Sequence, residues 1–84
     1  MANNAQRRRG AILEFVDGYQ CLHGYSPTLR EIGGATGISS TYVVHYHLIG
    51  LEERGLITRK PGAARSVVVT GRGRSCLLAG GRVP

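Results

Sequence analysis

The stretch from Thr28 to Gly55 constrains the fold more than any other part of this chain, because its helix start and stop signals are so close together. Thr28-Leu29-Arg30-Glu31 reads as a capping box. In that motif the threonine hydroxyl accepts from the glutamate amide, and the carboxylate accepts from the threonine amide. The helix opened there is short, about Leu29–Thr36, because Gly37 follows and suits the left-handed conformation that closes a helix. Ser39-Ser40 then caps another helix that runs to about Arg54, with Val44, Leu48 and Leu51 as its buried stripe and Gly55 as its stop. Two helices joined by so tight a turn form a helix-turn-helix.

The flanking segments complete the pattern. Ile12, Phe15, Val16, Tyr19 and Leu22 recur at helical period and predict a first helix over residues 5–22, with Asn4 as its N-cap and Gly24 as its C-terminal cap. After Gly55 the period changes. Leu56–Arg59 and Arg65–Thr70 are β-branched segments, and Lys60-Pro61-Gly62-Ala63-Ala64 between them carries the turn residues. This predicts a hairpin, or wing, beside the third helix. The fold expected is mainly α with a small β-hairpin, a three-helix winged helix-turn-helix over residues 1–70. Residues 71–84, rich in Gly and Arg, are expected to be a flexible tail. Gly10, Gly18, Gly33, Gly34 and Gly50 fall inside the expected helices and weaken them by about 0.5–1 kcal/mol each, so a partner or weak homodimerisation is expected to add order.

Charge narrows the function. Of 84 residues, 11 are Lys or Arg and 5 are Asp or Glu, giving +6. The positive charge sits at the two ends: Arg7, Arg8 and Arg9 near the start, then Arg54, Arg59, Lys60, Arg65, Arg72, Arg74 and Arg82. All the acids lie between Glu14 and Glu53. Such a balance suits a polyanion, above all nucleic acid. No apolar run approaches the roughly 20 residues that span a bilayer, so no membrane partner is expected. Cys21 and Cys76 lack metal or redox spacing, and with no signal peptide they fit reducing cytoplasm, here that of a bacterial or phage-infected cell, at the nucleoid. His45 and His47 point about 200 degrees apart on a helix and cannot share a metal. With Lys60 on a loop and no acid pair or nucleophile-base arrangement, neither catalysis nor a cofactor is expected.

The candidate site is the outer face of the third helix. With Val44 at the centre of the buried side, Tyr42, Tyr46 and Ile49 fall opposite, flanked by Val43 and His45. Exposed helix faces favour charged residues, so two tyrosines and an isoleucine mark either packing against the wing or the N-terminal segment, or a surface that enters a major groove. Ser39, Ser40 and Thr41 at the helix start suit a DNA phosphate as well as a cap. Arg59, Lys60 and Arg65 at the wing, and Arg7 in the first helix, are the further backbone contacts expected. The alternative is a protein-interaction module that grips polymerase or another regulator through the same face. Salt separates the two, since counterion release makes DNA binding steeply salt-dependent.

These residues resemble the N-terminal DNA-binding domain of LexA repressors. The matching stretch is Gly24-Tyr25-Ser26-Pro27-Thr28-Leu29-Arg30-Glu31-Ile32, followed by Gly37-Ile38-Ser39-Ser40-Thr41. It continues through Val44-His45-Tyr46-His47-Leu48, then Leu51 to Ile57, and Ala64-Arg65. The resemblance covers about residues 5–70 and implies a winged helix-turn-helix that reads operator double-stranded DNA. It places the base-reading positions on Ser40, Tyr42, Val43, His45 and Tyr46. Tyr42 departs from the smaller or amide-bearing residues of such domains, so the operator sequence does not carry over. Repressors of this type continue into a peptidase domain with a Ser-Lys dyad, which the 84 residues do not include. The expectation is therefore a stand-alone regulator of the repressor type, with Leu77–Val83 loosely similar to the hinge of such proteins.

Overall fold

The computed structural model describes residues 4–60, 62–81 and 83. Its elements are α1 (Asn4–His23), α2 (Leu29–Thr36), α3 (Thr41–Glu53), β1 (Ile57–Thr58), β2 (Val68–Val69) and α4 (Gly71–Leu78). Pro61 of the expected turn, and Arg82 and Pro84 of the expected tail, lie outside the described residues.

The helix-turn-helix forms for the reasons its sequence carries. The Thr28 hydroxyl accepts from the Glu31 amide at 3.1 Å, and Glu31 Oε1 accepts from the Thr28 amide at 2.8 Å. Gly37 closes α2 at φ 75°, in the left-handed region. Ser40 caps α3 by accepting from the Val43 amide at 3.4 Å. Gly33 is a requirement of packing: a Cβ there would meet the Ile38 carbonyl oxygen at 2.6 Å, so the turn can fold back against α2 only over a glycine.

The core joins all the helices to the hairpin. Ile12, Leu13 and Val16 of α1, Ile32 of α2, and Val44, Leu48 and Leu51 of α3 are fully buried, and Leu56, Ile57, Val67 and Val69 are buried with them. The antiparallel hairpin pairs Ile57 with Val69 and Thr58 with Val68, so its inward side chains seal the end of the core. Buried Ser26 ties the wing to the helix-turn-helix, its hydroxyl accepting from the Val67 amide at 3.1 Å.

Three expectations are corrected. Asn4 is already helical instead of capping α1. Leu22, expected in the α1 stripe, is 80 % exposed. It lines an open groove to which α2 contributes Glu31, Gly34, Ala35 and Thr36 and no large apolar side chain, while Leu13 of α1 is buried. The expected flexible tail instead begins with α4, capped by Thr70, whose hydroxyl accepts from the Gly73 amide at 3.0 Å. Gly73 lies directly on the Leu56 carbonyl, where no Cβ fits. Cys76 and Leu77 pack on the core, Val83 is buried, and Arg74 pairs with Asp17 of α1 at 3.0 Å. Gly73, one of the glycines that suggested flexibility, provides close contact.

Candidate nucleic-acid interface

The outer face of α3 is open. Tyr42 is 79 % exposed, Tyr46 57 % and Ile49 36 %, with Val43 and His45 half-buried beside them. Neither tyrosine is tucked beneath the hairpin. At about 100 degrees per residue, Tyr42, Ile49 and Tyr46 span one side of the cylinder. His45 and Glu52 border that face on the wing side, and His47 and Gly50 border it on the α1 side. Both borders are held by arginines from other elements.

On the wing side, Arg59 donates from Nε to Glu52 Oε1 at 3.2 Å and sits with a terminal nitrogen 3.0 Å from His45 Nδ1. A guanidinium only donates, so His45 Nδ1 is the acceptor and the ring carries its proton on Nε2. On the α1 side, Arg9 donates from Nε to His47 Nδ1 at 3.2 Å and lies 5.5 Å from the centre of the Tyr46 ring. His47 is 4 % exposed; burial, followed by the charges of Arg9 and Arg8, lowers its pKa. It is held neutral, as an acceptor must be.

The cations expected at phosphates divide into two groups. Arg65, at φ 56°, remains exposed but directs its guanidinium to partners within the protein. It pairs with Glu31 at 3.1 Å, donates to the Ser26 carbonyl at 3.1 Å and to the Tyr19 hydroxyl at 3.3 Å, and lies 4.9 Å from the centre of the Tyr25 ring. Glu31 is held below the usual carboxylate range, first by the Thr28 amide and also by Tyr19, the Thr28 hydroxyl and Arg65. Arg59 is likewise committed to α3. Lys60 and Arg30, by contrast, line the cleft between the wing and the start of α2, and among the described residues neither has an ion-pair partner. Arg7, Ser39 and Thr41 are exposed. The structure thus gathers Ser39, Ser40, Thr41, Tyr42, Val43, His45 and Tyr46 on one surface with Lys60 at its edge. Arg59 and Arg65 are instead engaged by Glu52 and Glu31.

Sequence reasoning missed Arg9, Arg30, Ser26 and the acceptor role of Glu31 toward Arg65. Arg9 stood within a run of three arginines that nothing local distinguishes. The Arg65 contacts span 34 to 46 positions of sequence and leave no periodic trace. Among the described residues there is no group of three or more His, Cys, Asp or Glu that could hold a metal ion, and no helix is long and apolar enough to cross a membrane.

A sequence profile of the LexA DNA binding domain matches residues 3–66. The LexA repressor of Geotalea uraniireducens (strain Rf4) is 47% identical over 64 residues, covering 76% of this chain and 32% of that protein. The LexA repressor of Limosilactobacillus fermentum is 38% identical over 77 residues, covering 92% of this chain and 37% of its own length. That of Enterococcus faecalis is 41% identical over 73 residues, covering 87% of this chain and 35% of its own. The chain therefore spans only 32–37% of the length of these curated relatives.

Proposed function

The chain belongs to the LexA DNA-binding domain family, and from that membership we propose that it binds double-stranded DNA sequence-specifically as a transcriptional regulator of the repressor type. In this reading α3 enters the major groove, where Tyr42, Val43, His45 and Tyr46 meet base edges and thymine methyls. His45 presents its Nε2 proton as a donor, which suits an acceptor such as guanine O6 or N7. Ser39, Ser40 and Thr41 take a phosphate at the start of the helix, and Lys60, Arg30 and Arg7 follow the backbone on either side. Arg59 and Arg65 act indirectly by fixing the wing to α3 and α2. Repression follows from occupying a promoter that polymerase would otherwise use.

One observation carries the proposal. The face of α3 that bears Tyr42, Tyr46 and Ile49 is exposed and bordered by the hairpin, and is not packed within the protein. A single small domain makes few base contacts, so two copies on neighbouring half-sites would supply the affinity and discrimination a regulator needs. The test is to select duplexes from a random pool and compete the selected site against random duplex and RNA across a salt series. Preference for the selected site, with affinity falling steeply as salt rises, supports the reading. Equal competition by random duplex or RNA would refute it.

A further inference from the structure

We propose that Arg9 is a positioning residue for Tyr46, holding that side chain ready to read one place in the DNA site. This rests on the DNA-binding reading above and deepens it. Arg9 belongs to α1, yet its guanidinium lies across α3 against three positions in one turn. It is 5.5 Å from the centre of the Tyr46 ring, it donates to Nδ1 of His47 at 3.2 Å, and it occupies the space above Gly50 that any Cβ would take. The Tyr46 and His47 rings meet edge-on, with centroids 5.4 Å apart.

The arrangement is a three-part clamp. Buried His47 is fixed by its helix and presents an unprotonated Nδ1, which orients the guanidinium through its Nε–H. Gly50 lets the plane of the guanidinium settle onto the α3 backbone. Its central carbon lies 5.5 Å from the centre of the Tyr46 ring, where attraction between the cation and the aromatic ring favours one rotamer of an otherwise exposed side chain. A tyrosine on a bare helix surface samples several rotamers, and docking into a groove would cost their entropy. Arg9 removes that cost before binding. A planar guanidinium does this and an ammonium does not, because only the former can donate from Nε in its plane while stacking with its face. Among the described residues Arg7 has no such contact, although it lies on the same turn of the same helix.

The test uses the whole chain with Arg9→Gln, Arg9→Lys, Arg7→Gln and Tyr46→Ala. Binding is measured to the selected duplex and to its single-base-pair variants, with thermal unfolding as a check on folding. The expected result is that Arg9→Gln and Arg9→Lys each lose discrimination, by about tenfold, at the same base pairs affected by Tyr46→Ala. Adding either to Tyr46→Ala should cause no further loss there, whereas Arg7→Gln should weaken all duplexes alike. If Arg9→Gln weakens every duplex equally, or Arg9→Lys retains full discrimination, the proposal is overturned. A measurement without DNA separates its failure from that of the DNA-binding reading. Scalar couplings of Tyr46 in the free protein should report one rotamer in the parent and averaging in Arg9→Lys. Averaging in the parent overturns the proposal even if DNA is bound specifically.

Discussion

Arginine is the most frequent charged residue here, and its copies do unlike work. Arg65 joins α2, the Tyr19 hydroxyl and the segment before Thr28 to the wing, whereas Lys60 lines the cleft with no ion-pair partner among the described residues. Removing them should therefore have opposite signatures. Arg65→Ala should lower the melting temperature and leave the salt dependence of DNA binding unchanged. Lys60→Ala should leave the melting temperature alone and reduce the slope of log affinity against log salt by about one. Thermal unfolding and salt titrations of both variants check this, and a reversed pattern would exchange their roles. His47 adds a pH dependence. Its pKa lies below 6.5 in the folded chain, so between that lowered value and 6.5 the unfolded chain binds more protons. The stabilisation is complete above 6.5 and is lost as pH falls through the folded pKa. Glu31, also lowered, adds a second loss at more acidic pH. Urea unfolding from pH 7.5 to 5.5 should show a decline that His47→Gln flattens; an unchanged decline would assign it to other groups.

At the scale of elements, α4 is the least expected feature. Its glycines look like flexible chain, but Gly73 touches the Leu56 carbonyl and its amide supplies the Thr70 cap. Gly73→Ala should destabilise the fold by about 1–3 kcal/mol through overpacking, whereas Gly71→Ala, with open space around it, should not. Chemical denaturation of the two variants distinguishes a packed helix from a loose tail. The contrast also explains what was legible in the sequence. Helices α2 and α3 could be bounded closely because their caps are local: Thr28 with Glu31, Gly37, and Ser40 with Val43. The wing was recognisable from β-branched runs, although its strands are only two residues each. Leu22 misled because helical period reports which residues share a face, and not how far the neighbouring helix reaches. Helix α4 was hidden because its signal lies in a backbone contact with Leu56, 17 positions earlier.

For the molecule as a whole, the two basic ends of the chain converge on opposite borders of one helix face. Arg9 arrives from α1 and Arg59 from the wing, with Tyr42, Tyr46 and Ile49 open between them. Periodicity located this face without the structure, since it depends only on where Val44, Leu48 and Leu51 point. Of the arginines that frame it, Arg59 follows Glu52 by only seven positions, whereas Arg9 stands 38 positions from His47, where no local pattern could have revealed it. The most direct measurement is an NMR titration of the labelled chain with a duplex selected from a random pool. The largest amide and side-chain shifts should fall on Ser39 to Tyr46 and Ile49, with smaller ones at Lys60 and Arg30. Shifts concentrated instead in the groove between α1 and α2, at Phe15, Leu22 and Gly34, would contradict the assignment of α3 as the DNA-reading surface.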